Sequence, residues 1–224
     1  MYSILYMNIL VCGDSHSRVF SYCNKQQSHF QFDVCEVGGA TAQGAVNPNS
    51  KTNALGIFSE KIKNTPKADK VLIMLGEVDC GFVIWVRSKK YNISVDEQLQ
   101  LSINNLTRFI ETKVKSYGYA SNDIIVAGVI LPTIKDSTNK QYLNGARKEV
   151  DVSQAIRTQK TLEYNQQLQS MCSVYGYHYI DITQDLMGEN GVINDEYLNE
   201  NHTDHHLSNP KTYHMWVNRL LKLS

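Results

Sequence analysis

Four short stretches of this 224-residue chain concentrate side chains that can make and break bonds. The first is Gly13-Asp14-Ser15-His16-Ser17, directly after an apolar run. A serine at a strand-to-helix turn exposes its hydroxyl and aims its own N–H at a developing oxyanion. The same residues also read as an N-cap, Asp14 or Ser15 starting a helix over Ser17–Lys25. The second is Gly38-Gly39-Ala40-Thr41-Ala42-Gln43-Gly44, either a backbone surface for close ligand approach or a plain glycine turn. It lacks the Gly-Lys-Ser/Thr ending of a phosphate loop. The third, Gly76-Glu77-Val78-Asp79, sets two carboxylates at a strand end, where desolvation is costly unless they are paired or used. Capping a hydrated turn is the other reading. The fourth, Asn201-His202-Thr203-Asp204-His205-His206-Leu207-Ser208, puts imidazoles beside a carboxylate, the pairing of a general base with its orienting acid, or simply a polar loop.

The elements that must position these stretches follow from the apolar pattern. Strands are expected over Ile4–Cys12, Phe30–Val37, Lys70–Leu75, Asp123–Leu131 and Tyr177–Ile182. A helix over Val95–Tyr117 follows from Val95, Leu99, Ile103, Leu106, Ile110, Val114 and Tyr117, with Asp96 and Glu97 in its first turn and Lys113 and Lys115 in its last. A second spans about Ser153–Tyr175, with Ile156, Tyr164, Leu168, Met171 and Tyr175 as its buried face and Gly176 ending it. A third starts at Asn209-Pro210 and buries Tyr213, Trp216 or Val217, and Leu220. Alternating strands and helices predict one α/β domain over residues 1–224, a three-layer α/β/α sandwich on a mostly parallel five-stranded sheet. Ligands in such sheets sit beyond the carboxyl ends of the strands, where the first three stretches fall, while the fourth lies just before the last helix.

Composition excludes other classes. Balanced charge, 22 basic against 22 acidic residues, argues against nucleic acid or an anionic membrane as partner. No apolar run reaches the roughly 18 residues of a membrane span. Tyr2–Cys12 reads as a buried strand, not a signal segment, because it has no basic leader and no small-residue cleavage pattern. Five cysteines without a Cys-x-x-Cys pair suit reduced thiols in the cytoplasm. Nothing in the sequence indicates oligomeric state.

Together the four stretches, in this order, resemble the SGNH (GDSL-like) hydrolase family. The resemblance implies a flavodoxin-like SGNH fold, with Ser15 as nucleophile and Gly39, or its neighbour Gly38, as an oxyanion-hole N–H. The family's third block is Gly-x-Asn-Asp; here Val78 stands in the asparagine place, removing a side-chain donor. Asn47, Asn49 and Lys51 are candidate replacements. The fifth block is Asp-x-x-His; here Thr203 lies three before His206 and Asp204 only two before. His206 is preferred to His205 as base because Leu207-Ser208 follows it. Arg157, Tyr164 and Asn165 also match the family pattern.

The resemblance implies attack by Ser15, proton transfer to His206, orientation by Asp204, and oxyanion stabilisation by the N–H groups of Ser15 and Gly39. Asp14, His16, Glu77, Asp79 and His205 are expected around the substrate. Tyr91-Asn92 and Tyr142-Leu143-Asn144 suit a polar acceptor, so a glycan or small-molecule ester carrying O-acetyl or another short acyl group is the expected substrate, with no cofactor and no metal. Pro132–Val152 reads as an exposed insertion able to act as a lid. Three other readings stay open: an acyltransferase on the same residues, a carbohydrate-binding protein on a decayed hydrolase scaffold, and a metal-dependent phosphoesterase. The last would use Asp14 and His16 with His202, Asp204, His205 and His206 as ligands.

Overall fold

The computed structural model describes residues 6–26, 29–143, 145–201 and 204–223. The expected Ile4 and Leu5 of the first strand, Asn144, His202 and Thr203 lie outside them. The chain forms β1 (Met7–Gly13), α1 (Arg18–Gln26), β2 (Phe30–Glu36), α2 (Ala54–Asn64), β3 (Lys70–Met74), α3 (Ile84–Tyr91) and α4 (Val95–Phe109). It continues through β4 (Ile124–Ala127), α5 (Gln154–Tyr175), β5 (His178–Ile180), the single turn α6 (Thr183–Leu186) and α7 (Asn209–Leu221). The five strands are all parallel, in the order β2-β1-β3-β4-β5.

Period-two alternation divides the strand side chains between two cores. Leu10, Cys12, Val71, Ile73, Ile124 and Val126 face a layer built from α2, α4 and α5, with Phe58, Leu106, Phe109, Tyr164 and Leu168 in its centre. Ile9, Val11, Leu72, Met74, Ile125 and Ala127 face α1, α6 and α7, against Phe20, Leu186 and Trp216. Strands buried on both faces need near-continuous apolar runs, and β1, β3 and β4 have them.

Three segments differ from expectation. The helix from Val95 is regular only to Phe109, then widens into a π turn over Ile110–Val114 and tightens into a 3-10 turn over Lys115–Tyr117. On α5 the expected face is right at its centre and wrong at its ends: Tyr164, Leu168 and Met171 are buried, but Ile156 is 52% exposed and Tyr175 40%, and Arg157, Thr158, Thr161 and Asn165 are buried as well. The reason is chemical. This face also carries polar side chains that pin neighbouring loops, and these are invisible to a pattern built on apolar residues. Arg157 Nη2 donates to the Ile134 carbonyl at 2.6 Å, and the Asn165 amide accepts from Val129 N–H at 2.7 Å and donates to Val129 C=O at 2.8 Å. Of the strand expectations, Asp123–Leu131 ends early, at Ala127, and its remainder is buried loop.

Candidate active site

The end of β1 delivers the first residues of the site. Gly13 has no room for a side chain: a Cβ there would stand 2.6 Å from Ser17 Cβ and 2.8 Å from the Met74 carbonyl. Asp14 caps the 3-10 turn Ser15–Ser17, its carboxylate accepting from His16 N–H at 2.9 Å. The N-cap and hydroxyl-presenting readings of this stretch therefore hold together, because the cap shapes the turn that carries Ser15.

The loop before α7 delivers the partner. His206 Nε2 lies 2.8 Å from Ser15 Oγ, and His206 Nδ1 lies 2.5 Å from Asp204 Oδ1. The unusual Asp-x-His spacing works through a local turn: the same Asp204 oxygen accepts His206 N–H at 2.9 Å, bringing carboxylate and ring together two residues apart. Asn199 Nδ2 donates to the other Asp204 oxygen at 3.2 Å, and Thr133 Oγ1 donates to the His205 carbonyl at 2.5 Å. A short antiparallel bridge between Leu198 and Leu207 anchors the loop.

Burial would raise the Asp204 carboxyl, but the two bonds from His206 outweigh it and hold the carboxyl below its usual range. His206 is pushed below the ordinary histidine value, chiefly by burial and by the neighbouring His16, against the pull of Asp204. The imidazole is therefore neutral at neutral pH, with Nδ1–H donating to the Asp204 carboxylate and Nε2 facing the hydroxyl as acceptor.

Gly38 and Gly39 follow β2, adjacent to β1 in the sheet, so their loop sits at the same carboxyl edge as Ser15. Gly39 has φ +72°, and Val37 N–H donates to the Gly13 carbonyl at 2.9 Å, tying this turn to the serine turn. The loop beyond is fastened from below. Asp79, fully buried, accepts from Ala42 N–H at 2.7 Å and Gln43 N–H at 3.2 Å, while Gln98, Asn105 and Arg87 bind Gln43. Gly76 is required where β3 ends: its φ is +127°, and a Cβ would meet Val129 at 2.7 Å and the Tyr164 ring at 2.9 Å. Val78 is 2% exposed and offers no donor. Asn47 and Asn49 lie on the exposed outer turn, with Asn49 N–H bound to Asn47 Oδ1 at 2.9 Å.

The five residues expected around a substrate divide into two groups. Asp14 and Asp79 are 1% and 0% exposed, and their carboxylates serve backbone N–H groups. Burial pushes them up to about 7 and about 6 respectively. His16, Glu77 and His205 gather beside His206 instead. Glu77 Oε2 lies 2.8 Å from Arg147 Nη2 and 3.1 Å from His16 Nε2. Against a strong burial penalty, Arg147 and His16 hold the Glu77 carboxyl far below its usual range. Burial alone would lower His16, but Glu77 and Asp14 turn the balance and raise it. His205 is pushed down to about 4 by burial and by Arg147.

Arg147 escaped the sequence reading because it lies in the segment read as an exposed insertion. Its side chain is 12% exposed, and its guanidinium sits 4.6 Å from the centre of the Phe82 ring. A carboxylate buried at a strand end demands a cation, which was the available signal. Lys135, Lys140, Arg147 and Lys148 all offered one, and sequence spacing does not choose among them.

A cavity of about 360 Å³ opens beside Ser15 and His206, walled by Val19, Met74, Ile130, Leu207 and Trp216, with Arg18, Tyr22, Asn199 and Glu200 also in its lining. No helix among the described residues is long and apolar enough to cross a membrane.

No protein-family model matches the sequence, and no curated protein matches it. Solved structures do. A GDSL-like lipase from Bacteroides thetaiotaomicron superimposes with a TM-score of 0.59 at 14% identity, covering 96% of this chain and 86% of that one. An extracellular lipase from Streptomyces rimosus gives 0.56 at 11% identity, covering 97% and 100%. An acetyl xylan esterase gives 0.54 at 10% identity, covering 96% and 98%. At these identities the likeness is one of fold.

Proposed function

We propose that this chain, which has the SGNH (GDSL-like) hydrolase fold, is a single-domain serine ester hydrolase that removes O-acetyl or similarly short acyl groups from a carbohydrate. The observation that carries the reading is the unbroken line Ser15 Oγ, His206 Nε2, His206 Nδ1, Asp204 Oδ1, with contacts of 2.8 and 2.5 Å. In the proposed reaction Ser15 Oγ attacks the acyl carbon as its proton passes to His206 Nε2. Asp204 keeps the other ring nitrogen protonated and stabilises the imidazolium. The N–H groups of Ser15 and Gly39 receive the tetrahedral oxyanion. His206 then protonates the leaving alcohol, and a water activated by the same imidazole releases the acid from Ser15.

Val78 sets the expected scale. An oxyanion donor is typically worth about 10²–10³ in kcat. A two-donor hole therefore suits an activated, unhindered ester such as an acetyl group. The modest cavity and its mixed lining support a short acyl group on a polar acceptor, as does the likeness in fold to an acetyl xylan esterase. Release of acetate from acetylated saccharides by the purified chain is the expected result. Hydrolysis confined to long-chain lipid esters would overturn the substrate assignment.

A further inference from the structure

The proposed reaction needs only one of the three imidazoles packed together here. His16 and His206 have ring centroids 4.6 Å apart, His205 and His206 4.2 Å, and His16 and His205 5.7 Å. One ring nitrogen from each lies within 4.8 Å of the others. His16 is 6% exposed, and its Nε2 makes no hydrogen bond. It is paired instead with the Glu77 carboxylate, an ion contact at 3.1 Å. Three imidazoles that each place a ring nitrogen in one cluster 4.8 Å across point to a ligand shared by all three.

We infer that His16, His205 and His206 form a binding site for a borderline transition-metal dication such as zinc, and that its occupancy blocks the hydrolase. The donor set is three imidazole nitrogens, His16 giving up the proton that Glu77 favours, with a water as fourth ligand, which suits zinc, nickel or copper and not calcium or magnesium. Zinc–nitrogen bonds of about 2.0–2.1 Å place ligand nitrogens roughly 3.4 Å apart in a tetrahedron. The rings need to close by little more than 1 Å, within reach of side-chain rotation. His206 is already prepared as a ligand: Asp204 holds Nδ1, the arrangement that directs Nε2 to a metal. Arg147 opposes a cation here, but its charge is taken up by Glu77 at 2.8 Å, and Asp204 adds a second carboxylate.

The consequence is competition for one lone pair. His206 Nε2 cannot bind a metal and accept the Ser15 proton at once. Inhibition therefore rests on the proposed hydrolase reading, whereas metal binding does not.

Titration calorimetry of the full chain with zinc chloride, in a non-chelating buffer at pH 7.5, separates the two. The expected result is one saturable ion per chain, with unchanged stoichiometry in Ser15→Ala, which disables the proposed reaction. His205→Asn is expected to weaken binding at least about tenfold, since outer-shell partners alone are worth that much. Zinc is expected to lower the wild-type esterase rate, and EDTA to restore it. Should His205→Asn fail to fold, the histidine ring resonances of the wild-type chain report the same site, with three imidazoles expected to shift together on zinc addition. No saturable binding, a site unaffected by His205→Asn, or zinc shifts confined to other histidines would overturn the inference. Zinc bound with the esterase rate unchanged would overturn its inhibitory half alone.

Discussion

Ser15 and His206 are separated by 191 positions in the chain and by 2.8 Å between Oγ and Nε2. The doubly wound sheet is what closes that gap. Ser15 leaves the carboxyl end of β1, a central strand, and His206 sits in the loop that leads into α7, which packs beside α1 on the same face. Four predictions follow from the geometry around this contact.

Removal of either end of the line is expected to lower kcat/KM by at least about 10³-fold, for Ser15→Ala and His206→Ala alike. Asp204→Asn is expected to cost a comparable roughly 10³–10⁴, because it leaves the ring in the wrong tautomer. Far-UV spectra and melting curves identify any loss that comes from unfolding. A Ser15→Ala enzyme with near-normal turnover would contradict the assignment.

The acid limb of activity is set by His206. Its neutral form is the base, and its value in the fold lies below the ordinary 6.5 through burial and the neighbouring His16. The plateau of kcat/KM is thus expected to extend below pH 6.5 before protonation removes the base. A profile whose acid limb lies above pH 7 would show that Asp204 dominates and that burial does not.

Glu77 and Arg147 bind the 140–150 segment to the floor of the site. Glu77→Gln leaves a guanidinium buried without its counter-charge and is expected to cost about 3–5 kcal/mol in urea unfolding, less if the segment opens. Arg147→Met, combined with it, is expected to recover part of that loss in a double-mutant cycle. Limited proteolysis between Gly145 and Glu149 is expected to accelerate in Glu77→Gln. Additive single losses would mean that the ion pair does not couple the two elements.

Asp79 opposes its own burial. Its folded value, pushed up to about 6 by burial, exceeds the ordinary 3.8. A group raised in the fold contributes stability that is full below the unfolded value and lost as pH rises through the folded one. Asp14, pushed up to about 7, acts in the same direction. The contribution of Asp79 is therefore expected to fall between about pH 4 and pH 6, so that wild-type stability declines relative to Asp79→Asn across that window. Equal slopes would show that Asp79 is already ionised throughout that range.

Most of the fold was legible because strands β1, β3 and β4 are buried on both faces and must be written in continuous apolar residues. The α5 face was legible only in part: Tyr164, Leu168 and Met171 are buried as their spacing requires, but Arg157, Thr161 and Asn165 are buried as hydrogen-bonding side chains. In the site, Ser15, His206 and Asp204 stood out by residue type and position. The Asp-x-His spacing looked like a defect until the turn at Asp204 brought its carboxylate under the ring. Asp79 is indistinguishable in sequence from a substrate carboxylate; only its bonds to Ala42 and Gln43 identify it as an anchor of the loop. Arg147 was beyond reach because its partner is set by chain folding, 70 residues away.

The central claim is that Ser15 is an activated nucleophile. Labelling of the purified chain with a fluorophosphonate probe tests it most directly, because the probe reacts with a serine hydroxyl only where a base removes its proton. The account predicts one adduct on the wild-type chain, located on the peptide containing Ser15, absent from Ser15→Ala and strongly reduced in His206→Ala. A folded wild-type chain that takes up no label, or a label that persists in Ser15→Ala, would contradict it.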